Sequence, residues 1–330
     1  MIRNIAAVVV MMACVVAHGQ TMVERDSLMR EATRWRDVAN YQEAINTYAK
    51  VKSDEARLAM ADTYYEMGNI VAALDRAKWL QEDEGFTLKD DARLIEARCR
   101  ERQGFDSAAR RIYRQLANAG HAEAAYYYAA MMLKRGSVEE AGEMCQRAIR
   151  RDPMLTPAHL LLSEVETARG HRYQAMLPLM RYLLMASDEG RMRNAERLVD
   201  MWKRGWGGID PLKRRVAEEP YSELMEKEID GIERDVAVKW NSREELIEGI
   251  VERTDTLVSR MRDTGEENLD FWQVTYADFL IEVHARGYIR AMIYFVFNGL
   301  YRTEVLTWLS ENAGYFDEFS RWLEGRAVGY

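Results

Sequence analysis

The side chains that could do chemistry are few and scattered. Beyond the first twenty residues the chain carries four histidines, His121, His159, His171 and His284, and two cysteines, Cys99 and Cys145. No histidine stands four residues from another or beside a cysteine, so the spacing that lets one helix face hold a metal ion is missing. There is no glycine-rich phosphate loop, no HExxH, no Cys-x-x-Cys and no GxSxG. Carboxylates are plentiful, which leaves a Glu pair in a groove open, but the Glu-Ser and Gly-Leu-Met-Gln motifs of murein-cleaving transglycosylases are absent. The sequence therefore predicts no enzyme, no cofactor and no metal. His159 and His284 sit at packed or apolar positions and are expected to be satisfied structural histidines.

Stepping from side chains to the elements that carry them, small residues recur at a near-constant interval. Ala44, Ala73, Ala108, Ala141 and Ala175 are separated by 29, 35, 33 and 34 residues, and a glycine turn comes before most of them. A period near 34 predicts stacked two-helix repeats, each burying its apolar faces against its neighbours. Two helices approach to about 8–10 Å only where the contact residues are small.

On these residues the chain resembles the tetratricopeptide repeat family. Residues 122–155 fit best, with Ala129, Gly136, Ala141, Cys145, Ala148 and Pro153 at the family's positions; Leu58 to Ile70 followed by Ala73, and Leu28, Ala32, Trp35, Tyr41, Ala44 and Tyr48, supply two more units. Repeat three departs: its turn, Gly104-Phe105, is one residue short, and Glu96 falls where a small residue is expected, which predicts a rotated first helix. In repeat five Pro178 is expected to kink or break the second helix and end the regular array. The resemblance implies an all-α, tetratricopeptide-like α-solenoid of about five helix pairs.

The domain reading has three parts: a leader at 1–19, the repeats at 20–187, and a helical C-terminal region at 188–330. The leader has Arg3, an apolar run from Ile5 to Val16, and Ala17-His18-Gly19 before a cut that would leave Gln20 first. Such a leader places the chain outside the cytoplasm, in the periplasm or against the outer membrane. A lipid anchor at Cys14, preceded by Met11-Met12-Ala13, is the alternative. No later apolar run is long enough to span a bilayer. With the leader gone the balance is about −9, which argues against nucleic acid as a partner. Cys99 and Cys145 either pair or stay as buried free thiols; their placement on different helices of neighbouring repeats favours the latter.

After residue 187 the rhythm fails. Arg204 to Pro211 reads as a linker, followed by helices at about 212–218, about 221–238, and one opening at Ser242 with Glu245 three residues on. Trp272, Tyr276, Phe279 and Val283 share one helix face, and Gly287 to Ala291 echoes the turn at Gly104, so a degenerate sixth hairpin is expected, followed by short helices at about 303–312 and 315–325. Six of the eight tryptophans lie beyond residue 200, as core packing or as a stacking platform.

In the family the concave face binds partners. Carried over, the candidate groove is Leu58, Tyr65, Arg93, Arg100, Tyr126, Lys134 and Leu160, with Met29, Arg36, Asp62, Leu133 and Glu164 beside them. The position where the family's carboxylate clamp needs Asn reads Thr33, Asp62, Ala97, Ala130 and Glu164, so this is not a clamp. Residues 98–151 hold eleven Lys and Arg against six acids, and arginines flanked by tyrosines suit an acidic or C-terminal segment. The expected function is a non-catalytic scaffold for a protein or extended peptide in a bacterial-type envelope. The alternatives are a glycan-binding surface lipoprotein with a helical repeat fold and an envelope-assembly accessory factor.

Overall fold

A computed structural model describes residues 21–202, 220–236, 241–263 and 270–327. The expected leader, the linker at Arg204 to Pro211 and the helix at about 212–218 lie outside the described residues. Among those described there is no strand. The chain divides into two compact units, Met1–Ala119 and Gly120–Tyr330.

The N-terminal unit holds three helix pairs: α1 (Met22–Asp37) with α2 (Tyr41–Tyr48), α3 (Asp54–Glu66) with α4 (Ile70–Glu82), and α5 (Lys89–Arg102) with α6 (Asp106–Asn118). Thr21 opens α1 with a reciprocal cap, its hydroxyl accepting from Glu24 N at 3.2 Å while the Glu24 carboxylate accepts from Thr21 N at 3.1 Å. Each pair meets at two fully buried small residues: Ala32 with Ala44, Ala61 with Ala73, and Ala97 with Ala109. The third pair corrects the sequence reading. Ala109, not Ala108, is the buried contact, and Ala97, not Glu96, faces it. The first helix of repeat three is shifted by one residue rather than rotated, and its turn is not short.

The C-terminal unit continues with α7 (Ala122–Lys134) and α8 (Val138–Arg151), then α9 (Thr156–Arg169) and α10 (Arg172–Met185). Ala129 with Ala141 and Ser163 with Ala175 are again fully buried. With this register all five pairs are separated by the same twelve residues. Seven residues after the first member stands the turn residue, Ala39, Gly68, Gly104, Gly136 or Gly170, each with positive φ. Every turn closes in one way: the next residue's N–H reaches five residues back, as from Asn69 to Tyr64 at 2.9 Å and from Phe105 to Arg100 at 2.8 Å. This Schellman closure satisfies the last carbonyls of each first helix.

Pro178 neither breaks α10 nor ends it. The helix runs to Met185 with twelve of its fourteen residues buried, and packing on all sides outweighs the one backbone bond that proline removes. After it come α11 (Asp188–Trp202), α12 (Pro220–Asp235), α13 (Arg243–Asp263), a π-helical turn (Gln273–Ala277), α14 (Asp278–Ala285), α15 (Ile289–Phe297) and α16 (Arg302–Ala327), the last bent at Asn312; of these α11, α12, α15 and the π-helical turn pack on α10. Ser242 caps α13 through Glu245 N at 3.1 Å. Two buried arginines tie helix ends together: Arg172 donates to Met201 O at 2.5 Å and to Glu233, and Arg253 donates to Trp202 O at 2.5 Å and Val236 O at 3.0 Å. These carbonyls have no partner inside their own helices, so the guanidinium groups complete them.

The sixth hairpin is present and worn. Gly287 has φ +72° and Tyr288 N reaches Val283 O at 2.9 Å, the same closure as in the repeats. The small pair is replaced by Leu280 and Met292, both buried. Side chains of that size hold α14 and α15 apart, and both pack against α13. The aromatic residues of α16 pack into this region: Trp308 stacks on Tyr294 at 4.1 Å and Trp322 on Phe279 at 5.8 Å. The fold is all-α, with five tetratricopeptide-like pairs followed by a helical C-terminal region.

Candidate functional site

In the N-terminal unit the first helices α1, α3 and α5 carry the positions read as the partner face. Leu58 is half-buried and packs on the core of Ala61, Ala73, Ala77, Leu80, Ile95 and Cys99. Tyr65, in the last turn of α3, meets two guanidinium groups, Arg98 at 4.2 Å and Arg102 at 5.4 Å from its ring centre. Arg98 also donates to Asp62 at 2.5 Å, and Arg36 on α1 approaches Asp62 and Glu66 at 3.7 Å each. A ladder of alternating charge thus crosses three first helices, Arg36 to Asp62 to Arg98, with Tyr65 and Arg102 at one end. Burial pushes the Glu66 carboxyl up, against the pull of Arg36.

Arg93 and Arg100 are directed elsewhere. Arg93 donates to Asp90 and to Gln115 on α6, each at 3.1 Å. Arg100 grips Glu96 at 2.6 and 2.7 Å, and Gln81 on α4 donates to the other Glu96 oxygen at 2.9 Å. Burial would raise the Glu96 carboxyl, but the bonds from Gln81 and Arg100 outweigh it and hold it low. The arginines that meet Tyr65 are therefore Arg98 and Arg102, which the sequence reading missed. The one-residue shift of α5 accounts for the difference, and the fixed twelve-residue spacing of the small pairs was the signal that could have found them.

In the C-terminal unit Tyr126 meets Tyr127 edge-on at 5.0 Å, Lys134 is exposed in the last turn of α7, and Leu160 is half-buried on α9. Glu164, one turn beyond Leu160, accepts from Arg197 of α11 at 3.0 Å. A groove of about 910 Å³ runs along α13 between Glu245, Glu248, Glu252 and Asp255 on one side and Arg290, Asn312 and Tyr315 on the other.

The histidines and cysteines are built into the fold. His159 is buried, with Nε2 donating to Pro153 O at 3.0 Å and Nδ1 accepting from the Tyr276 hydroxyl at 2.8 Å. His171 meets the buried Glu166 carboxylate at 2.9 Å, His284 meets Asp255 at 2.8 Å, and His121 caps α7 at Ala124 N. Cys99 and Cys145 are buried free thiols. Burial pushes Cys99 up to about 11 and Cys145 higher, so neither offers a thiolate near neutral pH. Among the described residues no group of three or more His, Cys, Asp or Glu side chains is placed to hold a metal ion, and no helix is long and apolar enough to cross a membrane.

No family model matches the chain, and no curated protein matches it. Among solved structures, one titled as the crystal structure of MamA protein is similar at 19% identity, covering 52% of this chain and 94% of its own, with a TM-score of 0.33. A second crystal structure of MamA is similar at 19% identity over 50% of this chain and 96% of its own, with a TM-score of 0.34.

Proposed function

We propose that the chain is a non-catalytic scaffold of the bacterial cell envelope that binds a protein or an extended peptide along its first helices. The observation that carries the reading is Tyr65 in contact with both Arg98 and Arg102. An aromatic ring fixed by two cations is pre-organised, and tyrosine and arginine are the residue types on which binding energy concentrates. Arg102 is exposed, and among the described residues no carboxylate pairs with it. It is free to receive an acidic side chain or a terminal carboxylate of the partner, while Leu58 offers apolar contact nearby.

The test is crosslinking in cells followed by mass spectrometry of the captured proteins. Tyr65→Ala combined with Arg102→Glu is expected to abolish the main crosslink. If the double variant keeps every crosslink at native yield, the N-terminal face is not the binding face. Export is tested by intact mass. Cleavage before Gln20 supports a soluble scaffold, whereas diacylglycerol on Cys14 supports an anchored one.

A further inference from the structure

We propose that the contact between His159 and Tyr276 is an acid-sensitive latch, through which the π-helical turn and its aromatic side chains are held on repeats four and five and released when the pH falls. The turn runs directly into α14. Asp270 accepts from Gln273 N at 2.8 Å where the turn begins, and Phe271 and Trp272, which precede it, pack with its Tyr276, Trp272 stacked on Tyr276 at 6.1 Å. Two groups of the repeats hold these rings. Arg150 of α8 lies over Phe271 at 4.8 Å, and His159 of α9 bonds the Tyr276 hydroxyl and meets its ring edge-on at 5.6 Å.

The bonding as built uses the neutral ring. Pro153 O can only accept, so Nε2 of His159 must carry its proton. Nδ1 is then a bare acceptor for Tyr276. A second proton on Nδ1 would make the Tyr276 hydroxyl turn from donor to acceptor and would place a positive charge on a ring that is 1% exposed. The charged groups around the joint give little relief. Arg181 on α10 opposes the cation, while Asp152, at the end of α8, favours it from a distance. Arg150 faces Phe271 from α8. Cys145 on α8 and Glu166 on α9 act on Tyr276 together with Arg181, and Glu166 is already engaged by Arg169 at 2.7 Å and by His171.

Burial pushes the His159 imidazole down to about 4 from its usual 6.5. A released histidine regains its ordinary value, so the open joint binds the extra proton. Closure is fully favoured above about pH 6.5 and is lost as the pH falls towards 4. Within that window each unit of pH shifts the balance towards opening by about tenfold.

Cys145 provides the readout, because it is fully buried close to Tyr276, while Cys99 is fully buried in the N-terminal unit and reports general unfolding. The full chain is treated briefly with a pyridyl disulfide, which reacts with thiols in acid, at pH values from 7 to 4, and labelling is read by peptide mass. Cys145 labelling relative to Cys99 is expected to rise by about tenfold per unit below pH 6.5. His159→Gln, which keeps a donor and an acceptor but takes no proton in this range, is expected to remove the rise. Parallel labelling of the two cysteines, or an unchanged slope in the variant, overturns the proposal. Should the variant not fold, an NMR titration of the native histidine rings decides: a His159 signal titrating at about 6.5 overturns the latch, and one titrating well below supports it.

Discussion

Five turns of one geometry, four with glycine and one with alanine at the left-handed position, allow a paired test with opposite signs. Ala39 has φ +58° and is exposed, whereas Gly104 in the same unit has φ +83° and nothing within 4 Å of where a Cβ would stand. The cost of a side chain at either place is therefore conformational and not a matter of contact. Left-handed backbone costs a non-glycine residue about 1–2 kcal/mol. Against this, alanine has less unfolded-state freedom to lose than glycine, which returns about 0.4–1 kcal/mol. The difference gives about 1 kcal/mol, so Ala39→Gly should stabilise by about that amount and Gly104→Ala should destabilise by about the same. Urea unfolding, followed by circular dichroism with free energies extrapolated at constant slope, measures both. If Ala39→Gly weakens the protein, or Gly104→Ala changes nothing, the shared closure of these turns is not what fixes their conformation. The double variant should return close to the native value, since the two sites lie in different repeats.

Two further substitutions probe packing. Ala141→Glu places a carboxylate at a fully buried helix contact; it should cost about 3–5 kcal/mol from overpacking and an unpaired charge, and an unchanged melting temperature would refute the helix pairing. Gly299→Ala would set a Cβ 2.9 Å from Asp188 O and 3.1 Å from Met192 N. Because backbone must move, about 1–3 kcal/mol should be lost, visible as faster proteolysis between α15 and α16.

Much of the architecture was legible because small residues and turn glycines act locally. A helix contact needs alanine, a left-handed turn favours glycine, and both leave a mark in a single sequence. The slip at repeat three arose because Ala108 and Ala109 are adjacent and composition does not choose between them; the constant spacing to Ala97 does. What was hidden depends on distance along the chain. His159 is 117 residues from Tyr276, and no local pattern announces that pairing. Arg172 and Arg253 look like surface residues by type, yet both are buried because helix ends far apart in sequence bring them carbonyls. The enclosure of α10 was hidden for the same reason, since α11, α12 and α15, which pack on it, come later in the chain. At the candidate face Tyr65 was legible from its repeat position, while its arginine partners required the correct register.

The twelve-residue spacing divides the edges of the repeats by their tolerance of length. From one buried second-helix alanine to the next the distances are 29, 36, 32 and 34 residues, yet from each first-helix contact to its partner across the turn the distance never changes. All variation is absorbed where a second helix passes to the next first helix, as in the eight-residue α2 and the connection at 83–88. An epitope or reporter inserted at those connections would leave the contact register intact. One residue added at a glycine turn would move every side chain of the following helix by about 100°.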